Sequence, residues 1–397
     1  MRKLFSIMFW TVLLLIGSAQ VTWAQHTKVY DLGPYPGGTY VVANDINNAD
    51  VVAGYGDAAD GYMHAFGVSL HGPNAMQWFD LGNLGGVFAP WGVKAQALGI
   101  ADNGMIVGLA AIVHTPYYDP DSGYTFEDFW WHAFAWTPKS GMVDIGTLES
   151  LGEFSTALGG NVNKAGTLIV GWSGNWELAP PVVWTPKVEW TKRGPTTTWN
   201  IQKLETVGYP DACCWGANSV NNLGQIVGSG GGSAWVWNPV PGRNQWKITH
   251  LPASSDYPNA HANAINEYGD IVGYVASSDL TTTLPALWKQ ASRSGNIWKL
   301  TVLPAPSDQP FTTQALGINN RGDIVGGSFD AITGNYLAAP LRWSTKDPHF
   351  VQNLDFPGAG SPGARGAAYA VNDNGLAVGA YSTSTINQHG FASQVPH

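Results

Sequence analysis

Gln314-Ala-Leu-Gly-Ile-Asn-Asn-Arg-Gly-Asp-Ile-Val-Gly326 decides how this chain folds, because the phrase recurs along the sequence. Close copies are Ile100-Ala-Asp-Asn-Gly-Met-Ile-Val-Gly108, Val220-Asn-Asn-Leu-Gly-Gln-Ile-Val-Gly228, Ile265-Asn-Glu-Tyr-Gly-Asp-Ile-Val-Gly273 and Val371-Asn-Asp-Asn-Gly-Leu-Ala-Val-Gly379. Two are looser. Val162-Asn-Lys-Ala-Gly-Thr-Leu-Ile-Val-Gly171 carries one extra residue, and Ile46-Asn-Asn-Ala-Asp-Val-Val-Ala-Gly54 has Asp50 in place of the turn glycine. The closing glycines lie 45 to 63 residues apart. Fixed phrases with variable spacers are a repeating scaffold with loops of different length.

One repeat reads as four strands. The Asn-x-x-Gly step is a tight turn, since Asn and Gly accept the positive φ such turns require. It joins an apolar strand, Gln314 to Ile318, to a second strand ending at the closing glycine. A third strand is aromatic and often closes on tryptophan: His132-Ala-Phe-Ala-Trp136, Val182-Val-Trp184, Trp235-Val-Trp237, Ala286-Leu-Trp288, Leu341-Arg-Trp343. The fourth reads Trp78-Phe-Asp-Leu-Gly82 or Met142-Val-Asp-Ile-Gly146. Four antiparallel strands in such a repeat form a propeller blade.

The two ends of the chain point to a closed ring. The seventh repeat supplies Ala370 to Gly379 and His389-Gly-Phe391 and stops before a fourth strand, whereas Val29-Tyr-Asp-Leu-Gly33 is a fourth strand with no first three. Pairing them completes the last blade and removes exposed sheet edges. The expected fold is therefore all-β: a seven-bladed β-propeller of four-stranded antiparallel blades, one domain over residues 25–397. An open solenoid is the alternative.

Residues 1–24 stand apart. Arg2 and Lys3 precede an apolar run from Leu4 to Ile16, and small residues lead to Thr22-Trp23-Ala24 before Gln25. That is the layout of a secretory signal peptide, and the run is shorter than the roughly 20 residues of a membrane span. Cleavage leaves no further apolar stretch, so no membrane span is expected and the location is extracellular or periplasmic. The remaining chain holds 17 Lys+Arg against 28 Asp+Glu, a formal −11. Nucleic acid is excluded as a partner by that sign. With 12% charged residues, 49 Gly, 25 Pro and 19 Trp, the composition suits strands and turns.

The phrase 314–326, with His132-Ala-Phe-Ala-Trp136 and Val143-Asp-Ile-Gly-Thr-Leu148, resembles the extracellular repeat family named for its His-Ala-Phe tripeptide, over essentially the whole chain after residue 24. The resemblance implies an extracellular repeat scaffold and no particular reaction. His64 and His132 fit the tripeptide, and His389 fits with Gly in second place. The other copies have Pro181, Ala234, Pro285 and Pro340 nearby. Histidines that vary so freely among equivalent positions read as scaffold rather than chemistry.

Function is sought in the loops that break the repeat. Second-to-third-strand loops share one rim of a propeller with the connections between blades, and ligands sit over the channel at the variable rim. The largest break, before His132, runs His114-Thr-Pro-Tyr-Tyr-Asp-Pro-Asp-Ser-Gly-Tyr-Thr-Phe-Glu-Asp-Phe-Trp-Trp131. Tyr117, Tyr118, Tyr124 and Trp130 beside Asp119, Asp121, Glu127 and Asp128 suit a carbohydrate, with rings to stack on sugars and carboxylates to bond hydroxyls. A self-packed aromatic loop is the alternative. Asp119-x-Asp121-x-Gly123 has some likeness to a calcium loop but lacks the regular spacing and the roughly six to eight oxygens of a full site, so no metal is assigned. The same rim receives Asp211-Ala-Cys-Cys-Trp-Gly216. There Cys213 and Cys214 either close a strained vicinal ring beside Trp215 or stay as two thiols. Trp91, Phe154, Tyr257, His261, Phe311 and Arg365 are further candidates by topology.

No Gly-x-Ser-x-Gly elbow, His-Glu-x-x-His pair, phosphate-binding loop or Cys-x-x-Cys pair occurs, and no cofactor is called for. The leading expectation is a monomeric recognition module for an extracellular glycan or surface protein. An extracellular hydrolase or lyase using His114 and the rim carboxylates is the second reading, and a protein-interaction scaffold the third.

Overall fold

A computed structural model describes residues 28–87, 92–113, 117–119, 124–126, 131–148, 156–174, 179–191, 194–207, 216–291, 297–307, 312–330 and 333–396. Seven four-stranded antiparallel sheets follow one another in sequence order, with no helix among the described residues. Blade 6 is representative: Thr313–Ile318, Asp323–Ser328, Leu341–Ser344 and Gln352–Asn353 pair in that order, with the first strand innermost. Blade 7 is Arg365–Val371, Leu376–Ser382 and His389–Gln394, and Val29–Gly33 pairs with its third strand. Val29 lies opposite Ser393 and Asp31 opposite Phe391, so the ring closes by the N-terminal strand as the sequence implied.

Two features of the repeated phrase acquire a physical cause. Every innermost strand carries a register shift two residues before its last apolar residue, as between Ala315 and Gly317 or Ala368 and Ala370. A bulge bends the strand and turns the extra residue out of the ladder, here toward the channel. The closing glycine lies across from that bend, and a Cβ on Gly326 would stand 2.0 Å from the Gln314 carbonyl oxygen. Gly54, Gly108, Gly228, Gly273 and Gly379 meet the equivalent carbonyls at 1.9 to 2.0 Å. The Val-Gly signature is therefore a steric demand of the bulge.

The turn asparagine plays a different part from the one its residue type implied. Positive φ at the turn falls on the glycine (Gly104, Gly166, Gly224, Gly269, Gly322 and Gly375) and in blade 1 on Asp50, φ 57°. The asparagine, at most 4% exposed where it occurs, instead caps the turn and, except in blade 3 where the Asn163 amide bonds Thr167, crosslinks to the next blade. Asn319 Oδ1 accepts the Arg321 and Asp323 N–H groups at 3.0 and 2.9 Å, while its Nδ2 donates to the Asn372 carbonyl of the next blade at 2.8 Å. Asn221, Asn266, Asn372 and Asn47 repeat the link to the blade that follows. Blade 2 has Ala101 there, and Asn103 takes over, accepting from Met105 N–H and donating to Ala165 O of blade 3.

The core lies between blades. Trp184, Trp237, Trp288 and Trp343 are almost fully buried, and each indole N–H donates to a carbonyl closing the previous blade: Gly146, Glu205, Pro252 and Pro304. Burying an indole with its N–H satisfied combines large apolar area with direction. Blade 3 departs from the repeat. Its third and fourth strands, Pro181–Thr191 and Gly194–Lys203, run on together as a ribbon that leaves Val188 and Trp190 exposed.

The repeat histidines take the scaffold role. His64 Nδ1 meets Asp80 at 2.6 Å, His132 meets Asp144 at 2.6 Å and His389 meets Asp31 at 3.2 Å. Each aspartate also accepts the N–H of the glycine two residues on. Blades 3 to 6 have neither the histidine nor the aspartate at these positions. The pair thus clips the third strand to the end of the fourth. Among the described residues no helix is long and apolar enough to cross a membrane.

Candidate functional site

The two ends of the channel are built from different chemistry. At the turn end, the residues after the turn asparagines form a ring of hydrogen bonds through all seven blades. Asn48 N–H donates to Asp102, Asp102 to the Lys164 carbonyl, Ala165 to Asn222, Asn222 to Glu267, Glu267 to Asn320, Asn320 to Asp373, and Asp373 back to Asn48. Lys164 reaches across from blade 3 to pair with Asp373 of blade 7. Burial works to raise the Asp373 carboxyl, but Lys164 and the Asn320 N–H outweigh it and hold it below the usual carboxylate range. The space enclosed here is about 130 Å³. Asp45 faces it, accepting the Ile100 and Ile46 N–H groups, and burial lifts its carboxyl to about 6. These polar groups are spent on each other. This end is a clasp.

The opposite end opens into a cavity of about 790 Å³ where blades 6, 7 and 1 meet. Its aromatic residues are Tyr40, Tyr55, Tyr336 and Tyr369, and its hydroxyl and amide groups come from Asn335 and the stretch Ser382 to Gln388. Each tyrosine arrives by a different route. Tyr369 is the bulged residue of its strand and lines both this cavity and the channel below. Tyr55 follows the closing Gly54, and Tyr40 enters blade 1 through a bridge to Gln388. Tyr336 is carried inward by the second-to-third-strand loop of blade 6, which folds back through a Phe329–Tyr336 bridge.

The phenols are coupled. Tyr336 and Tyr369 share a hydrogen bond of 2.7 Å, and the Tyr40 and Tyr55 rings lie 6.2 Å apart. Burial raises Tyr55 and Tyr336 far above the ordinary phenol value and Tyr369 to about 12. All three are neutral at physiological pH, offering O–H groups and ring faces rather than phenolate. The loop walls are internally braced: Thr383 Oγ1 accepts the Thr385 and Ile386 N–H groups, and Asp330 accepts from Thr333. Arg365, which opens the first strand of blade 7, is the one charged residue of the described lining. Such a site can stack on a flat or ring-shaped ligand and hydrogen-bond its hydroxyls.

Most of the residues singled out from sequence are not among those described. His114, Asp121, Glu127, Asp128, Trp130, Cys213, Cys214 and Trp215 lie outside the described residues. Tyr117–Asp119 and Tyr124–Phe126 form a two-stranded ribbon in which Tyr118 lies opposite Thr125 and Asp119 opposite Tyr124. It is inserted between the second and third strands of blade 2, hence on the variable rim. Of the topological candidates, Trp91, Phe154 and Phe311 also lie outside the described residues. Arg365 lines the cavity, Tyr257 packs against the blade 4–5 core, and His261 stacks on Tyr274 at 5.0 Å, its pKa lowered by burial. The four cavity tyrosines lie outside the residues that the copies of the repeat share, so the repeat pattern does not point to them. Tyr369 is the one aromatic residue at a bulge position that elsewhere holds Asn44, Leu98, Gly160, Asn218, Asn263 and Leu316, a departure visible in the sequence, whereas Tyr55 shares its place after the closing glycine with Trp172 and Tyr274 and is not set apart there. Among the described residues no group of three or more His, Cys, Asp or Glu is placed to hold a metal.

No protein-family model matches the chain, and no curated protein matches it in sequence. Among solved structures, similar chains include the β-propeller domain of the trilobed protease from Pyrococcus furiosus, 9% identical with a TM-score of 0.49 over 90% of this chain and 95% of that one. The sialidase of Trypanosoma rangeli is 11% identical with a TM-score of 0.44, and a mutant of AofleA from Arthrobotrys oligospora is 12% identical with a TM-score of 0.38. The first of these aligns over 93% of this chain but 60% of its own, the second over 92% and 85%. At this distance the likeness carries nothing about ligand or chemistry.

Proposed function

We propose that this protein is an exported recognition module that binds a glycan at the variable rim of its propeller, after removal of residues 1–24. The carrying observation is the cavity between blades 6, 7 and 1, where neutral tyrosines and a hydroxyl- and amide-rich loop surround a space large enough for a saccharide. Membership of the His-Ala-Phe repeat family is part of this reading and is consistent with the His–Asp clips. The described lining of the cavity contains no carboxylate, so it supplies no acid–base pair for hydrolysis.

The test is a glycan and polysaccharide panel with purified residues 25–397, scored for retention and for newly formed chain ends. Tyr40→Ala, Tyr55→Phe and Tyr369→Phe should weaken retention without unfolding the chain. Retention lost instead in Tyr118→Ala, Trp130→Ala or Trp215→Ala would move the site to another sector of the rim. New reducing or unsaturated ends would make the protein an enzyme. Silence throughout would sink the carbohydrate reading and leave a protein-interaction scaffold.

A further inference from the structure

We infer that the cavity selects an acidic saccharide, one bearing a carboxylate or sulfate, through Arg365; this rests on the glycan reading above. The chain is acidic overall, with a formal net charge of −9. The cavity reverses that sign locally, since Arg365 is the single charged residue among those described in its lining. Two other arginines near this part of the ring are committed. Arg321 pairs with Asp323, and Arg342 bonds the Pro396 carbonyl and Gln352. Arg365 is exposed at the cavity edge, and no described carboxylate pairs with its guanidinium.

Its placement is fixed by the fold. Arg365 opens the innermost strand of blade 7, its backbone opposite Ser382, and Gly366 N–H is anchored to the Ala338 carbonyl beyond the blade 6 loop. The planar fork of a guanidinium matches an oxyanion with two parallel hydrogen bonds. Around it, Ser, Thr, Asn and Gln side chains bond a neutral hydroxylated ring, and no lining carboxylate repels the ligand's own charge. A neutral sugar would leave the cation without a partner.

The experiment compares an oligogalacturonate and a sulfated galactan with their neutral counterparts, galacto-oligosaccharide and unsulfated galactan, by titration calorimetry on residues 25–397. At least one acidic ligand should bind roughly tenfold or more tightly than its neutral counterpart, and added salt should erode the difference. Arg365→Gln should remove that preference while leaving weak binding common to both, and Arg365→Lys should restore part of it. The carboxylate and sulfate arms identify which oxyanion is recognised. Equal binding of acidic and neutral ligands, or a preference untouched by Arg365→Gln, overturns this inference and leaves the glycan reading standing. No binding of any ligand overturns both.

Discussion

Replacing Asn319 with alanine tests the claim that the turn asparagines hold the ring together. The side chain is 1% exposed and makes four hydrogen bonds: it accepts from Arg321 and Asp323 N–H and donates to Asp323 Oδ2 and to the Asn372 carbonyl. A bond of this kind contributes about 1 kcal/mol net, and a buried group left without a partner costs about 1–3 kcal/mol. Arg321 and Asp323 are half-buried, so water recovers part of their loss. The Asn372 carbonyl sits deeper, in the seam between blades 6 and 7. The expected cost is therefore about 3 kcal/mol, a large share of a typical domain's roughly 5–15 kcal/mol. Urea unfolding of residues 25–397 followed by tryptophan fluorescence reads it. The internal control is Asn103→Ala, whose exposed amide does the corresponding work in blade 2 and should cost under about 1 kcal/mol. Equal, small losses at both positions would refute the reasoning, because burial of the amide would then not matter.

Gly326→Ala should fail to give folded protein, or cost about 4 kcal/mol or more, since its Cβ would meet a backbone oxygen at 2.0 Å. Gly104→Ala, with φ 83° and open space around it, should cost only about 1 kcal/mol, as compared by melting temperature. Asp50→Gly relieves a positive φ but removes bonds from Asn372 at 2.6 Å and Asn374 at 3.1 Å across the ring seam. A net loss of about 1 kcal/mol is expected, and a gain in stability would show that backbone strain outweighs the seam. Asp45, raised from 3.8 to about 6, keeps a proton in the folded chain that the unfolded chain has released. Its contribution to stability should therefore decline as pH rises from about 4 to beyond 6. Asp45→Asn should flatten that part of a stability–pH profile; an unchanged slope would assign it to another group.

Most of the architecture was legible because it repeats. Seven copies of one phrase, a fourth strand stranded at the N-terminus and a last repeat lacking one leave little choice but a closed ring, and the pairing of Val29–Gly33 with blade 7 bears that out. The extended ribbon of blade 3 was not legible, since Lys187-Val-Glu-Trp190 carries no mark that separates a loop from a strand pair.

Side-chain chemistry divides along the same line. Local sequence identified the turn and its glycine, because a positive φ is a property of one residue and its neighbours. It misassigned the asparagine, whose amide is required by a carbonyl about 53 residues away in the next blade. The His–Asp clips join residues 12 to 16 apart within a blade, and in blade 7 they join the two ends of the chain. The cavity belongs wholly to tertiary structure. Tyr40, Tyr55, Tyr336 and Tyr369 come from three blades, and only ring closure brings residue 40 against residue 388. A repeat sequence specifies each blade through short-range sterics and pattern. What faces the channel mouth depends on which departures from the repeat the closed ring sets side by side.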